Sequence, residues 1–241
     1  MNTVLEVACF TIAGAITAQR AGANRLEFCE NPYEGGTTPS YGALKTLEKF
    51  ISIPVFPIIR PRGGDFLYSE AEYEVIKHDV ILCRSLGYEG VVIGLLNEDG
   101  SIDQDRTSEL VTIAYPMEVT FHRAFDRCKD PIEGLEKVIA CGCQRILTSG
   151  QFPVVSEGEN LLRQLVEAAA ERIIILPGSG VNSKNILDLA KNTGAKEFHS
   201  SARIPNYGSM KYYNVSMQEN LSFMDVDETE VKAMLQQLKS V

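Results

Sequence analysis

Eight short apolar runs recur along the chain at nearly even intervals, over residues 4–8, 25–29, 53–59, 90–94, 118–121, 145–148, 172–176 and 195–199. Their starts lie about 20 to 37 residues apart, room for a strand and a crossover helix each time, as parallel βαβ units require. Several runs, such as Ile173-Ile174-Ile175-Leu176, are apolar without alternation, the mark of strands covered on both faces. Eight covered parallel strands predict an α/β chain folded as a single (β/α)8 barrel of the TIM type. The competing doubly wound open sheet would carry a glycine-rich turn after its first strand. Here that turn reads Cys9-Phe10-Thr11.

Helical patterns fill the gaps. Residues 11–21 place Ile12, Ala15, Ile16 and Ala18 along one side, and residues 73–86 carry Val75, Ile76, Val80, Ile81 and Leu82. Pro131 opens another helix with Asp130 at its N-cap, and residues 183–191 repeat the scheme before the eighth strand. After that strand the pattern breaks into a polar stretch rich in Tyr, Asn and Met, too long for an ordinary connection. The chain therefore divides into one domain over 1–241: a barrel core over 1–203, an irregular excursion over 204–226 and a closing helix over 227–240. Asp227 and Glu230 resemble a capping box at the start of that helix.

Composition excludes several classes. The 32 acidic and 23 basic side chains leave a net charge of -9, the wrong sign for a phosphate-backbone binder, so no nucleic-acid partner is expected. No apolar run approaches the roughly 20 residues of a spanning helix, and residues 1–10 lack a basic then apolar leader, so a cytoplasmic chain with no membrane partner is expected. Six cysteines are too few for a disulfide scaffold of this length, and in a reducing compartment they are expected as thiols.

In a barrel of this type the functional groups gather at the C-terminal ends of the strands. Glu27 and Cys29 fall there on the second strand, Arg60 and Arg62 after the third, and His122, Arg123 and Asp126 after the fifth. Thr148, Ser149 and Gly150 end the sixth, Gly178 and Gly180 follow the seventh, and His199 ends the eighth. Two readings stand side by side. A buried Glu needs a cation or donor to meet it, and a layer of structural ion pairs would do that. The same residues would also make a pocket for a small anionic ligand: Arg60, Arg62, Arg123 and the glycine turns holding the anion, and Glu27, His122, Asp126 or His199 moving protons. Cys9, Cys29 and Cys128 lie near strand ends, where soft thiolates could take Cu(I). No C-x-x-C spacing joins them, and buried free cysteines commonly serve as packing.

The segments G22-A-N-R-L-E-F-C29, G35-G-T-T-P-S40, I59-R-P-R-G-G-D-F66, V119-T-F-H-R-A-F-D126, R145-I-L-T-S-G150 and E197-F-H-S-S-A202 resemble the CutC family, known as copper homeostasis proteins. The likeness runs in order through about residue 203 and is weaker in the tail. It implies a TIM-type barrel, a cytoplasmic location, a homodimer or homotetramer, and copper homeostasis with Cu(I) bound through Cys9, Cys29 and Cys128. Family members often carry two adjacent cysteines at the end of the first strand. This chain has Ala8 and Cys9 there.

Overall fold

The computed structural model describes residues 3–240. Eight strands and eight helices alternate: β1 (Val4–Cys9), α1 (Ile12–Ala21), β2 (Arg25–Phe28), α2 (Tyr41–Leu47), β3 (Val55–Pro57), α3 (Glu70–Leu86), β4 (Gly90–Ile93), α4 (Gln104–Ala114), β5 (Glu118–Phe121), α5 (Pro131–Ala140), β6 (Arg145–Thr148), α6 (Glu159–Ala169), β7 (Ile174–Pro177), α7 (Ile186–Thr193), β8 (Glu197–Ser200) and α8 (Glu228–Leu238). The strands form two parallel arcs, in the orders β3-β2-β1-β8 and β4-β5-β6-β7. A bridge between Ile58 and Val92 joins the arcs at one seam. At the other, β8 lies so close to the end of β7 that a Cβ on Gly178 would stand 3.3 Å from the His199 ring. The result is the TIM-type barrel expected from the spacing of the runs.

Register decides which residues look inward. Ala8 pairs with Glu27 and Glu27 with Phe56, whereas Cys9 pairs with Phe28 and Phe28 with Pro57. Neighbours in a parallel ladder share a face, so Glu27 points into the barrel and Cys9 outward. The outward set, including Val7, Leu26, Phe28, Val119 and Ile146, packs with the helix stripes as the main core. A smaller inner cluster holds Cys29, Phe56, Ile58 and Val92. The aromatic ring of Phe56 fits there because β4 opposes it with Gly90, whose added Cβ would stand 2.5 Å from the ring.

Helix starts follow side-chain chemistry. Ser69 and Glu72 close a full capping box on α3, and Asp130 caps α5 ahead of Pro131. At α8 the expected box is only half made. Asp227 accepts from the N–H groups of Thr229 and Glu230, but the Glu230 carboxylate turns away to accept from Ser183 N–H and Oγ, at 2.6 and 3.0 Å. Tertiary contact with the approach to α7 outcompetes the local bond.

The excursion is less irregular than the sequence suggests. Its ends, β9 (Arg203–Asn206) and β10 (Phe223–Val226), pair as an antiparallel ribbon. Pro205 is tolerated because the ribbon is two-stranded and each strand has a free edge. Asp225 anchors the ribbon by accepting from Thr11 Oγ1 and Asn206 Nδ2, at 3.2 and 3.1 Å, and Thr11 also caps α1. Between the two strands most side chains are exposed. No helix among the described residues is long and apolar enough to cross a membrane.

Candidate functional site

A cavity of about 180 Å³ opens at the C-terminal ends of the strands. Its floor and walls come from Glu27 and Cys29 on and after β2, Arg60 after β3, His122 after β5 and His199 on β8. Ser179, Gly180, Arg123 and Arg203 line the mouth.

The floor is a chain of charges. His199 Nδ1 lies 2.7 Å from Glu6 Oε1, and its Nε2 lies 3.8 Å from Glu27 Oε2. Glu27 also accepts from Cys29 Sγ at 3.4 Å. All four side chains are buried. Burial alone would raise Glu6, but the Arg25 guanidinium and the His199 hydrogen bond hold its carboxyl down to about 2. Glu27 goes the other way: burial pushes it up by more than the His199 charge pulls it down, and the nearby Glu6 charge adds to the rise. Burial pulls His199 down, yet the bond to Glu6 and the charges of both carboxylates leave it above its usual value.

His122 is different. Its Nδ1 accepts the N–H of Ala124 at 3.2 Å, which leaves the ring proton on Nε2. That Nε2 is buried and has no partner. Phe66 packs on the ring with centroids 4.9 Å apart. Gly94 leaves the space behind it, since a Cβ there would stand 2.2 Å from Nδ1. Burial and the positive charge of Arg60 press His122 down to about 3, so the ring is neutral. Thr120 Oγ1, two residues earlier on the same strand face, is likewise unpartnered.

The remaining expected anion binders are mostly occupied by the protein itself. Arg60 is buried and donates to the carbonyls of Glu34, Gly36 and Gly64 at 2.6 to 2.9 Å, so it supports the cavity wall. Arg62 lies outside the cavity lining, where it meets Glu72 at 2.5 Å and the carbonyls of residues 63, 65 and 67. The turn after β6 does bind a carboxylate, but it is Asp126. That side chain accepts from Thr148 Oγ1, from the N–H and Oγ of Ser149, and from Gln151 N–H, and it pairs with Arg123 Nε at 2.6 Å. Asp126 thus locks the loop and is absent from the cavity wall. Gly150 packs against Gly158, where a Cβ would stand 2.5 Å from the carbonyl oxygen. Gly178 makes room for Leu147 and His199. Gly180 lines the mouth but does not open directly onto a helix, because α7 starts only at Ile186.

The three thiols end in three places. Cys29 is in the cavity. Cys9 faces the helix layer, with Sγ 3.6 Å from Val7 O. Cys128 sits over the start of α5, within 3.5 Å of Asp130 O. The outward register of Cys9 separates it from Cys29, and burial raises all three thiols, Cys128 to about 11. Among the described residues no group of three or more His, Cys, Asp and Glu side chains is placed to hold a metal ion. The donor set does not fit a three-thiol copper site.

Sequence reasoning missed the polar spine beneath the cavity. From Glu6 it continues through Arg25 to Glu197, with Glu197 2.6 Å from Arg25 and 3.0 Å from Arg145, and on to Glu118. Glu6 sits within an apolar run whose alternation places it two residues before Ala8, on the inward face. That periodicity was the available signal. Arg203 was missed because it lies in the excursion, where no strand pattern was visible.

The model of the CutC family matches residues 3–204. A CutC family protein of Chromobacterium violaceum is 50% identical over 212 residues, spanning 88% of this chain and 86% of that one. A copper homeostasis protein cutC homolog of Homo sapiens is 42% identical over 238 residues, spanning 96% of this chain and 87% of that one. Among solved structures, the copper homeostasis protein CutC of Streptococcus agalactiae aligns with a TM-score of 0.78 at 30% identity, over 83% of this chain and 98% of that one. Phosphoribosyl anthranilate isomerase of Thermotoga maritima, at 12% identity and a TM-score of 0.60 over 99% of this chain and all of that one, shares the fold.

Proposed function

The chain belongs to the CutC family, and from that premise we propose that its barrel mouth binds a small anionic metabolite and works on it with Glu27 and His199 as proton-transfer groups. One observation carries the reading: His122, whose buried Nε2 has no partner, lines the same cavity as the Glu27–His199 pair. An unmade hydrogen bond at a buried donor costs about 1 to 3 kcal/mol, and a ligand oxygen would recover it. Arg203, exposed at the mouth, supplies positive charge against a chain that is net acidic, whereas Arg123 beside it is paired with Asp126.

The test is thermal unfolding with a panel of small phosphorylated and carboxylated compounds. A ligand at 100 times its dissociation constant stabilises by about 2.7 kcal/mol, and in a chain of this size each kcal/mol raises Tm by about 2 to 4 °C. Arg203→Ala, which removes an exposed guanidinium, is expected to weaken that shift. No shift with any anion overturns the reading.

The names of relatives attach them to copper homeostasis. For this chain we read that link as indirect, with the thiols serving as packing, because the thiols are dispersed and pushed toward their protonated forms. Anaerobic Cu(I) titration against a competing chelator tests it. Stoichiometric binding lost on Cys29→Ser would restore direct copper binding. Six free thiols suit a cytoplasmic location. The exposed Tyr207, Met210, Tyr212 and Val215 of the excursion offer apolar surface to a second copy, which sedimentation equilibrium would read as a homodimer or homotetramer.

A further inference from the structure

Glu27 stands on β2 and His122 directly after β5, in the two different arcs, and both line one cavity. They are chemically complementary. The main chain fixes the His122 tautomer: Ala124 N–H occupies Nδ1, so Nε2 can only donate. Phe66 on one side and Gly94 behind it hold the ring in place. A neutral imidazole that keeps its proton polarises an oxygen without becoming an acid that gives the proton up. Glu27 is held loosely by comparison, with a weak thiol donor at 3.4 Å and an imidazole at 3.8 Å. The Cys29 thiol beside it is held well above its usual value by burial and by Glu27, and so is no competing nucleophile.

We propose that the cavity catalyses proton abstraction beside a carbonyl group, with Glu27 as base and His122 Nε2–H as electrophile, on a small anionic α-hydroxycarbonyl compound. The proposal rests on the ligand reading above and adds the reaction to it. A neutral His and a carboxylate base form a known pair for this chemistry. Glu27 takes the proton from the carbon next to the carbonyl, and the C–H electron pair becomes the second bond between the two carbons. The carbonyl π pair moves onto oxygen, where the His122 N–H stabilises the enolate. Return of a proton from Glu27 to the same carbon regenerates the compound, carrying solvent hydrogen once the Glu27 proton has exchanged. The step is the first half of an isomerisation or epimerisation and needs no oxidant, reductant or cofactor.

The experiment is ¹H NMR in D2O with dihydroxyacetone phosphate, glyceraldehyde 3-phosphate, erythrose 4-phosphate and hydroxypyruvate. At least one is expected to lose its α-proton signal faster than in buffer. Glu27→Gln should slow that exchange by about 100-fold or more while ligand-induced thermal stabilisation persists. His122→Leu should slow it by about 100-fold, whereas His122→Gln, which keeps an N–H near the place of Nε2, should recover much of it. Circular dichroism and Tm of each variant separate loss of chemistry from loss of fold. Stabilisation by an anion with no exchange from any of the four overturns the reaction and leaves the ligand reading standing. Exchange that survives Glu27→Gln overturns the assignment of the base. Neither stabilisation nor exchange overturns both.

Discussion

The imidazole of His199 joins two carboxylates of opposite character: Nδ1 is 2.7 Å from Glu6 Oε1, and Nε2 is 3.8 Å from Glu27 Oε2. Glu6 is also paired with Arg25 and is held down to about 2, while Glu27 is raised. Pairs of titratable groups whose surroundings push them apart mark a division of labour. Glu6 stays an anion that orients the ring, and Glu27 holds a proton more readily than an ordinary carboxyl.

Stability should therefore depend on pH through this pair in a definite direction. Glu6 has its folded value below the usual 4.5, so its contribution is present above about 4.5 and is lost as pH falls toward about 2. His199 has its folded value above the usual 6.5, so its contribution is present below about 6.5 and is lost as pH rises through the raised value. Both are complete only between about 4.5 and 6.5. Glu6→Gln, which leaves Arg25 and His199 facing a neutral amide, should cost about 3 to 5 kcal/mol in that window, and less on either side. Urea denaturation of both proteins across pH 3 to 9 measures the difference. A penalty independent of pH would show that His199 is not held charged by Glu6.

Gly94 should tolerate no side chain. A Cβ there would stand 2.2 Å from Nδ1 and 2.3 Å from Cε1 of His122. Overpacking of this kind costs about 1 to 3 kcal/mol. Gly94→Ala should destabilise by that amount, lowering Tm by about 2 to 4 °C for each kcal/mol, and, by displacing the ring, reduce ligand-induced stabilisation. An alanine variant with unchanged binding would mean that His122 takes no part in holding the ligand.

Asp126 should behave as a structural residue. Its carboxylate accepts from Thr148, Ser149 and Gln151 and pairs with Arg123. Hydrogen bonds to a charged group contribute about 1.5 to 3 kcal/mol each, so Asp126→Asn, with an amide facing donors, should destabilise by about 3 kcal/mol or more. Limited proteolysis should then open the loop over residues 148–155. A variant as stable as the parent would return Asp126 to the list of candidate catalytic groups.

The barrel was legible because its signal is repeated eight times, and each apolar run needs only itself and a helix-length gap to be recognised. Glu27, His122 and His199 were legible for a related reason: strand ends can be read from local sequence, and the C-terminal rim follows from the fold. Which rim residues line the cavity was not legible. Arg62 and Asp126 sit in the right segments but are claimed by Glu72 and by the residue 148–151 turn, partners that only the folded chain brings close. Cys9 and Cys29 both end strands, and a register difference of one residue sends them to opposite faces. The ribbon β9/β10 was hidden because its stability comes from Asp225 meeting Thr11, more than 200 residues away in sequence.

The thiols give the last test, because packing and metal capture predict different reactivity. All six cysteines are buried and free. Burial raises each of them, Cys128 to about 11 and Cys83 to about 12, so at neutral pH the thiolate that binds soft metals or attacks a disulfide is scarce. Reaction of the folded protein with a chromogenic aromatic disulfide at pH 8 should therefore release at most one equivalent on the time scale that yields six in denaturant. Cys29 lines the cavity at the strand ends, so a reagent that enters there meets this thiol. A single fast-reacting thiol abolished by Cys29→Ser, and slowed by an anionic ligand, would show that thiol and ligand share one space. Fast reaction of two or more thiols in the folded protein would sink the view that they serve as packing.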